Sequence, residues 1–185
     1  GLTPGQAALL ADKSLSRADR ILADCARGDM FLLTMQDAAY PARLRDIFDP
    51  PVLLYGKGSL PLFDEEAAIA VVGTRSCTPY GLRCAHRMGY ELARQGAVVV
   101  SGMAKGIDGA AMRGALQAGG FTAAVLGGGV DVVYPAENRR LYEDIAATGV
   151  LLSEYPPGTE PLPGHFPVRN RIISGLSLAA LVVEA

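Results

Sequence analysis

From residue 67 onward, short apolar runs alternate with longer spans of small, polar and apolar residues. The runs at 69–72, 97–100, 122–126, 150–152 and 178–183 lack the polar alternation of a strand with one wet face. Continuous apolar character predicts burial on both faces, as in a parallel sheet covered by helices. The intervening spans at 80–95, 107–118 and 138–147 carry good helix formers between glycine punctuation, and read as crossover helices. Strand, helix and strand in repetition predict an α/β fold, a doubly wound parallel sheet built from βαβ units.

The first 60 residues have a different texture. Residues 5–11 and 17–27 have helical character, with Ser16 as the expected N-cap and Ile21, Leu22 and Cys25 as an apolar stripe. A brief apolar run at 31–35 follows, and Tyr40-Pro41 and Asp49-Pro50-Pro51 mark extended or turning chain before a strand-like stretch at 52–55. Residues 60–66, with Pro61 and three acidic side chains, form the expected boundary. The predicted organisation is an N-terminal helical segment with its linker over 1–60 and an α/β domain over 67–185.

Composition narrows the class. Half of the 185 residues are hydrophobic, enough for one ordinary core. The 22 glycines and 12 prolines show no repeat or low-complexity tract. A formal net charge of −2 argues against a uniformly basic nucleic-acid binder, so any anion site has to be local. Of the 17 cationic residues only Lys13, Lys57 and Lys105 are lysines, and arginine is the better donor for bidentate phosphate contacts. Cys25, Cys77 and Cys84 form no CxxC pair and His86 and His165 stand far apart, so no metal spacing or disulfide framework is expected and the natural compartment is the reducing cytoplasm. No signal segment is evident, and no apolar run approaches the roughly 18 residues of a membrane span.

Ligands of open α/β sheets collect beyond the carboxyl ends of the strands, where helix N-termini present free amides. The loops there read Gly73-Thr74-Arg75-Ser76, Ser101-Gly102-Met103-Ala104-Lys105-Gly106, and Gly127-Gly128-Gly129. Each loop carries glycine, which lets backbone approach a phosphate, and two carry a cation. Tight turns explain such glycines equally well in any one loop. None of the loops is a GxGxxG fingerprint or a P-loop, which leaves nicotinamide cofactors and P-loop hydrolysis unsupported. The stretch from Ser153 to Arg171 reads as a long loop in which Arg169, Asn170 and Arg171 can clamp phosphates and Tyr155 or Phe166 can stack a base, or as an ordinary proline-rich loop with a solvated arginine pair. Asp108 sits where a helix's first turn favours a carboxylate for structural reasons. Ser101 and Thr74 have no histidine in the adjoining loops to activate them, so no catalytic residue is expected.

The wording of these loops is specific. IAVVGTRSCTPYG from Ile69, SGMAKGID from Ser101, AVLGGGVDVVYP from Ala124, LLSEYPPG from Leu151 and FPVRNRIISGLS from Phe166 resemble, in order, the DNA-processing protein A (Smf) family. DPPVLLYGKG from Asp49 also fits, and the preceding helices look like that family's small SAM-like domain. The resemblance implies an extended Rossmann-like fold, cooperative binding and protection of incoming single-stranded DNA, homodimerisation near the final apolar segment, and loading of the RecA recombinase in natural transformation, without a cofactor or a metal. By position it carries the family's phosphate pocket onto Gly73, Thr74, Arg75, Ser101, Gly102, Lys105, Gly106, Arg169, Asn170 and Arg171. Many members continue into a winged-helix domain beyond the equivalent of Glu184-Ala185. One departure is Met112, where the family pattern has histidine; methionine there can only pack.

The rival is a nucleoside-phosphate-cleaving enzyme of the cytokinin-activating, lysine-decarboxylase-like type, which has a PGGxGTxxE pattern. The corresponding stretch here, Leu126 to Asp131, lacks the threonine and glutamate that would follow.

Overall fold

A computed structural model describes residues 3–11 and 13–185. The five apolar runs form five parallel strands: β3 (Ala68–Val72), β4 (Val98–Ser101), β5 (Thr122–Val125), β6 (Val150–Ser153) and β7 (Ala179–Val182). Between them lie α4 (Pro79–Arg94), α5 (Ile107–Gln117), α6 (Arg139–Thr148) and α7 (His165–Leu176). Before them come α1 (Pro4–Ala11), α2 (Ser16–Arg27), β1 (Phe31–Thr34), α3 (Ala42–Arg45) and β2 (Leu53–Gly58). Across the sheet the order is β1-β2-β6-β5-β4-β3-β7. The chain steps outward from β3 through β4 and β5 to β6, then α7 carries it back to the opposite side of β3. The order therefore reverses at β3, and the crevice above the strand ends there is where sheets of this type take ligands.

The unbroken apolar runs are explained by two covered faces. Ala70, Val98, Val100, Ala123, Val125, Val150 and Leu152 point to the side packed by Ile172, Ile173 and Leu176 of α7, with Leu44 of α3 and Phe63 in the same cluster. Val71 and Val99 point the other way, against Ala85, Ile107, Ala110, Ala111 and Ala115 of α4 and α5. Met112 is fully buried in a third cluster with Met103, Leu126, Leu141 and Leu151, so the side chain in the family's histidine position is here a packing group.

Four expectations are corrected. The boundary at 60–66 does not divide the sheet: β1 and β2 pair antiparallel, and β2 pairs with β6, Tyr55 opposite Ser153. Phe63, inside the expected linker, is 2 % exposed and belongs to the main core. Ser16 does not cap α2; the helix begins at Ser16, and Leu15, at the cap position, makes no side-chain cap bond. Of the stripe on α2, Cys25 is buried against Tyr55 and Val130 while Leu22 is exposed. Finally, the stretch after β6 is not loop throughout. From His165 it is helix, because Ile172, Ile173 and Leu176 recur at helical spacing and bury one face, while Pro167 lies in the first turn, where its missing N–H is tolerated. Among the described residues no helix is long and apolar enough to cross a membrane.

Candidate nucleic-acid interface

The carboxyl ends of β3, β4 and β5 and the first turns of α5 and α7 enclose a crevice with two lobes. One lies over the ends of β4 and β5, lined by Gly102, Lys105, Leu126, Gly127, Tyr134 and Pro135. The other lies between β3 and α7, lined by Val72, Gly73, Asp108, Asn170, Ile173 and Ser174. Arg75, Ala104, Phe166 and Arg169 border both lobes. Three cations thus face one opening in a chain whose net charge is negative, a local concentration of positive potential.

These cations are held in different ways. Arg75 is exposed, on the loop after β3, and its guanidinium carbon lies 4.9 Å from the centre of the Phe166 ring, a cation–π distance. Tyr134 stacks on the same ring at 5.6 Å. Lys105 is exposed and pairs with Glu137, which raises the lysine's pKa; an exposed pair of this kind is weak and exchangeable. Arg169 is 4 % exposed. Its Nη1 donates to the carbonyl of Gly102 at 3.0 Å and to that of Val125, tying the ends of β4 and β5 together. Burial lowers its pKa to about 10, with Asp108 working against the shift and Arg75 reinforcing it. Its Nε is buried with no partner among the described residues.

Asp108 is buried in the wall of the lobe between β3 and α7. Its Oδ2 accepts the Gly102 amide at 3.1 Å. Burial raises its pKa, opposed chiefly by the charge of Arg169 and then by the hydrogen bond from the Gly102 amide. The carboxylate thus organises the loop after β4 and offsets a buried guanidinium. Gly106 starts α5 with φ of +75°, and a Cβ there would meet the carbonyls of Thr74 and Arg75. Only glycine lets the β3 and β4 loops nest this closely.

Of the sequence-predicted residues, the structure brings Gly73, Arg75, Gly102, Lys105, Arg169, Asn170 and Phe166 to the crevice. Thr74 and Gly106 support it from behind, where the Ile107 amide donates to the Thr74 carbonyl. Ser101 is wholly buried and its hydroxyl donates to Val71 O, so it braces two strands and lines neither lobe. Arg171 points elsewhere, to Asp49 and Glu154. Tyr155 stacks on His165 at 4.1 Å and also lines neither lobe. Gly127, in the third of the strand-end glycine loops, also lines the crevice, and Tyr134 was not selected from sequence although it stands in the AVLGGGVDVVYP block.

Fold and crevice together define a Rossmann-type protein with a cation-lined cleft at the carboxyl ends of its parallel strands. Residues 31–185 match the family model for DNA recombination-mediator protein A, and the chain belongs to that family. It is 41 % identical over 165 residues to the DNA processing protein DprA of Bacillus subtilis, covering 89 % of this chain and 56 % of that protein. It is 48 % identical over 149 residues to the Streptococcus pneumoniae DprA, covering 80 % of this chain and 52 % of the relative. The chain thus spans about half the length of these relatives. The solved structure of the S. pneumoniae protein superimposes with a TM-score of 0.81 over 95 % of this chain and 64 % of that one, at 41 % identity. The Helicobacter pylori DNA processing protein A, solved for its single-stranded DNA binding mode, gives 0.73 over 82 % of this chain and 68 % of that one, at 34 % identity.

Proposed function

We propose that this chain binds single-stranded DNA in the two-lobed crevice, with the exposed Arg75 and Lys105 and the amides of the glycine loops taking phosphates, the buried charge of Arg169 adding to the potential behind them, and Phe166 offering a ring to a base. The observation that carries the reading is the convergence of three cations and an aromatic face on one cleft of an otherwise acidic chain. A narrow cleft of this kind suits a flexible strand with unstacked bases better than a duplex. The H. pylori relative's binding mode supports the same ligand. Binding is favoured over catalysis because Ser101 spends its hydroxyl on Val71 O and His165 turns its Nδ1 to the carbonyl of Gly127, so these two do not form a nucleophile–base pair at the crevice. In the same reading the protein passes the strand to RecA and works as a homodimer in the cytoplasm. The outer edge of β7, with Leu178 and Val182 exposed, is the candidate self-contact; hydrophobic edge strands invite pairing.

Fluorescence anisotropy with matched single-stranded and duplex oligonucleotides across a salt series tests this. Single strands are expected to bind more tightly, with log K falling by about 0.7 per phosphate contact for each decade of salt. Lys105→Glu and Arg75→Glu should each weaken binding on the order of tenfold while circular dichroism is unchanged, and Arg20→Glu should do far less. Wild-type affinity in both folded charge-reversal proteins would remove the crevice as the DNA site.

A further inference from the structure

Glu184, just past the end of β7, touches neither lobe of the crevice yet contacts the loop that carries Arg75 at two points. Its backbone extends the β3–β7 ladder by one step: Val183 N donates to Val72 O at 3.0 Å, and Thr74 N donates to the Glu184 carbonyl at 2.9 Å. Its side chain then turns to the first residues of α4. Oε2 accepts the Thr78 amide at 2.9 Å, and Oε1 accepts the Thr78 hydroxyl, which in turn accepts the Gly81 amide at 3.0 Å. One residue therefore fastens the β3–α4 loop at Thr74 and again at Thr78, on either side of Arg75.

Two further features belong to the same arrangement. Glu184 has φ of +71°, a backbone region that non-glycine residues adopt only when their surroundings impose it. Gly81 lies against the carboxylate, and a Cβ there would sit 2.4 Å from Glu184 Cδ. The hydrogen bonds from the Thr78 hydroxyl and amide lower the carboxyl's pKa, so the clasp is charged at neutral pH and sits at the positive end of α4.

We infer that Glu184 is a positioning residue for Arg75: by clasping both ends of the β3–α4 loop it holds the guanidinium at the crevice mouth, over Phe166. This inference rests on the single-stranded DNA reading above, and its failure is separable from that reading's failure. In the 185-residue chain, Glu184→Ala should weaken binding of an oligo-dT about three- to tenfold and flatten the salt dependence as Arg75→Ala does. Once Arg75 is removed, Glu184→Ala should have little further effect, whereas its effect should multiply with that of Lys105→Ala. Glu184→Gln, which can still accept the Thr78 amide and donate to its hydroxyl, should restore affinity to within about twofold. If Glu184→Ala does not fold, Thr78→Ala, which removes one of the two side-chain bonds, carries the same cycle with an expected loss of about threefold. Wild-type affinity in the folded Glu184→Ala or Thr78→Ala protein, or a loss that multiplies fully with that of Arg75→Ala, overturns the inference and leaves DNA binding standing. If neither Arg75→Ala nor Lys105→Ala changes affinity, the DNA reading itself falls.

Discussion

The two sides of α7 carry two arginines that the chain places two residues apart, and they have opposite tasks. Arg169 points into the protein, 4 % exposed, where it joins the ends of β4 and β5 through the carbonyls of Gly102 and Val125 and offsets Asp108. Arg171 points to the outer surface, where Nε reaches the Asp49 carbonyl at 2.8 Å and Nη2 reaches Glu154 Oε1 at 2.6 Å. Residues i and i+2 on a helix do not share a face. In an extended loop the same Arg-Asn-Arg triplet would make one clamp. On the helix it makes a buried brace, an open crevice residue at Asn170 and an external tie. Residue type alone therefore does not assign a cation to a ligand.

The largest effect that tests this contrast lies at Arg169. Replacement by methionine retains apolar bulk but leaves the Gly102 and Val125 carbonyls without their donor and removes the positive charge that acts on the buried Asp108. Leaving buried carbonyls without a donor costs about 1 to 3 kcal/mol each, which for a chain of this size lowers the melting temperature on the order of 10 °C. The double variant with Asp108→Asn should be less destabilised than the sum of the two singles, because each removes the other's reason for charge. Additive losses in thermal unfolding would show that Asp108 and Arg169 act independently and that Arg169 is not the brace described.

A smaller effect is expected at Arg171. Arg171→Ala gives up the bonds to Asp49 and Glu154 at a side chain only 21 % exposed, worth about 1 to 2 kcal/mol together. Affinity for single-stranded DNA should be unchanged, since the side chain lines neither lobe. A Tm close to wild type with a severalfold loss of affinity in anisotropy would return Arg171 to the DNA site, where its family position had put it.

The distinction between these arginines marks where sequence ceases to inform. The parallel strands were legible because doubly covered strands are continuous apolar runs, and each strand-end loop followed from its strand. The helical period of α7 was also present, at Ile172, Ile173 and Leu176, but Pro156, Pro157, Pro161, Pro163 and Pro167 precede it, and proline-rich chain reads as loop. Arg169 interrupted the apolar stripe with a charge that is buried all the same. Pairings across long separations left no local mark. β2 hydrogen-bonds to β6, so a segment that reads as a separate N-terminal unit completes the sheet. Ser101 reads as a loop hydroxyl, but its bond to Val71 O lies one strand over. The Glu184 clasp on Thr78 spans 106 positions, and nothing near either residue announces it.

Asn170 gives the finest test, because it separates binding from stability in one side chain. It is exposed, it lines the lobe between β3 and α7, and none of its side-chain atoms has a hydrogen-bond partner among the described residues. Truncating a side chain with no partner removes no interaction from the folded state, so Asn170→Ala should leave unfolding within about 0.5 kcal/mol of wild type. A carboxamide facing a bound strand can still give one neutral hydrogen bond to a phosphate or a base edge. One such bond is worth about 0.5 to 1 kcal/mol, which amounts to roughly a two- to fivefold loss of affinity. The salt dependence should not change, since no charge is removed. A flattened salt slope would mean that the substitution has displaced Arg169 or Arg75. A clear fall in Tm with wild-type affinity would make Asn170 part of the frame and put the strand's path in the other lobe, beside Lys105 and Tyr134.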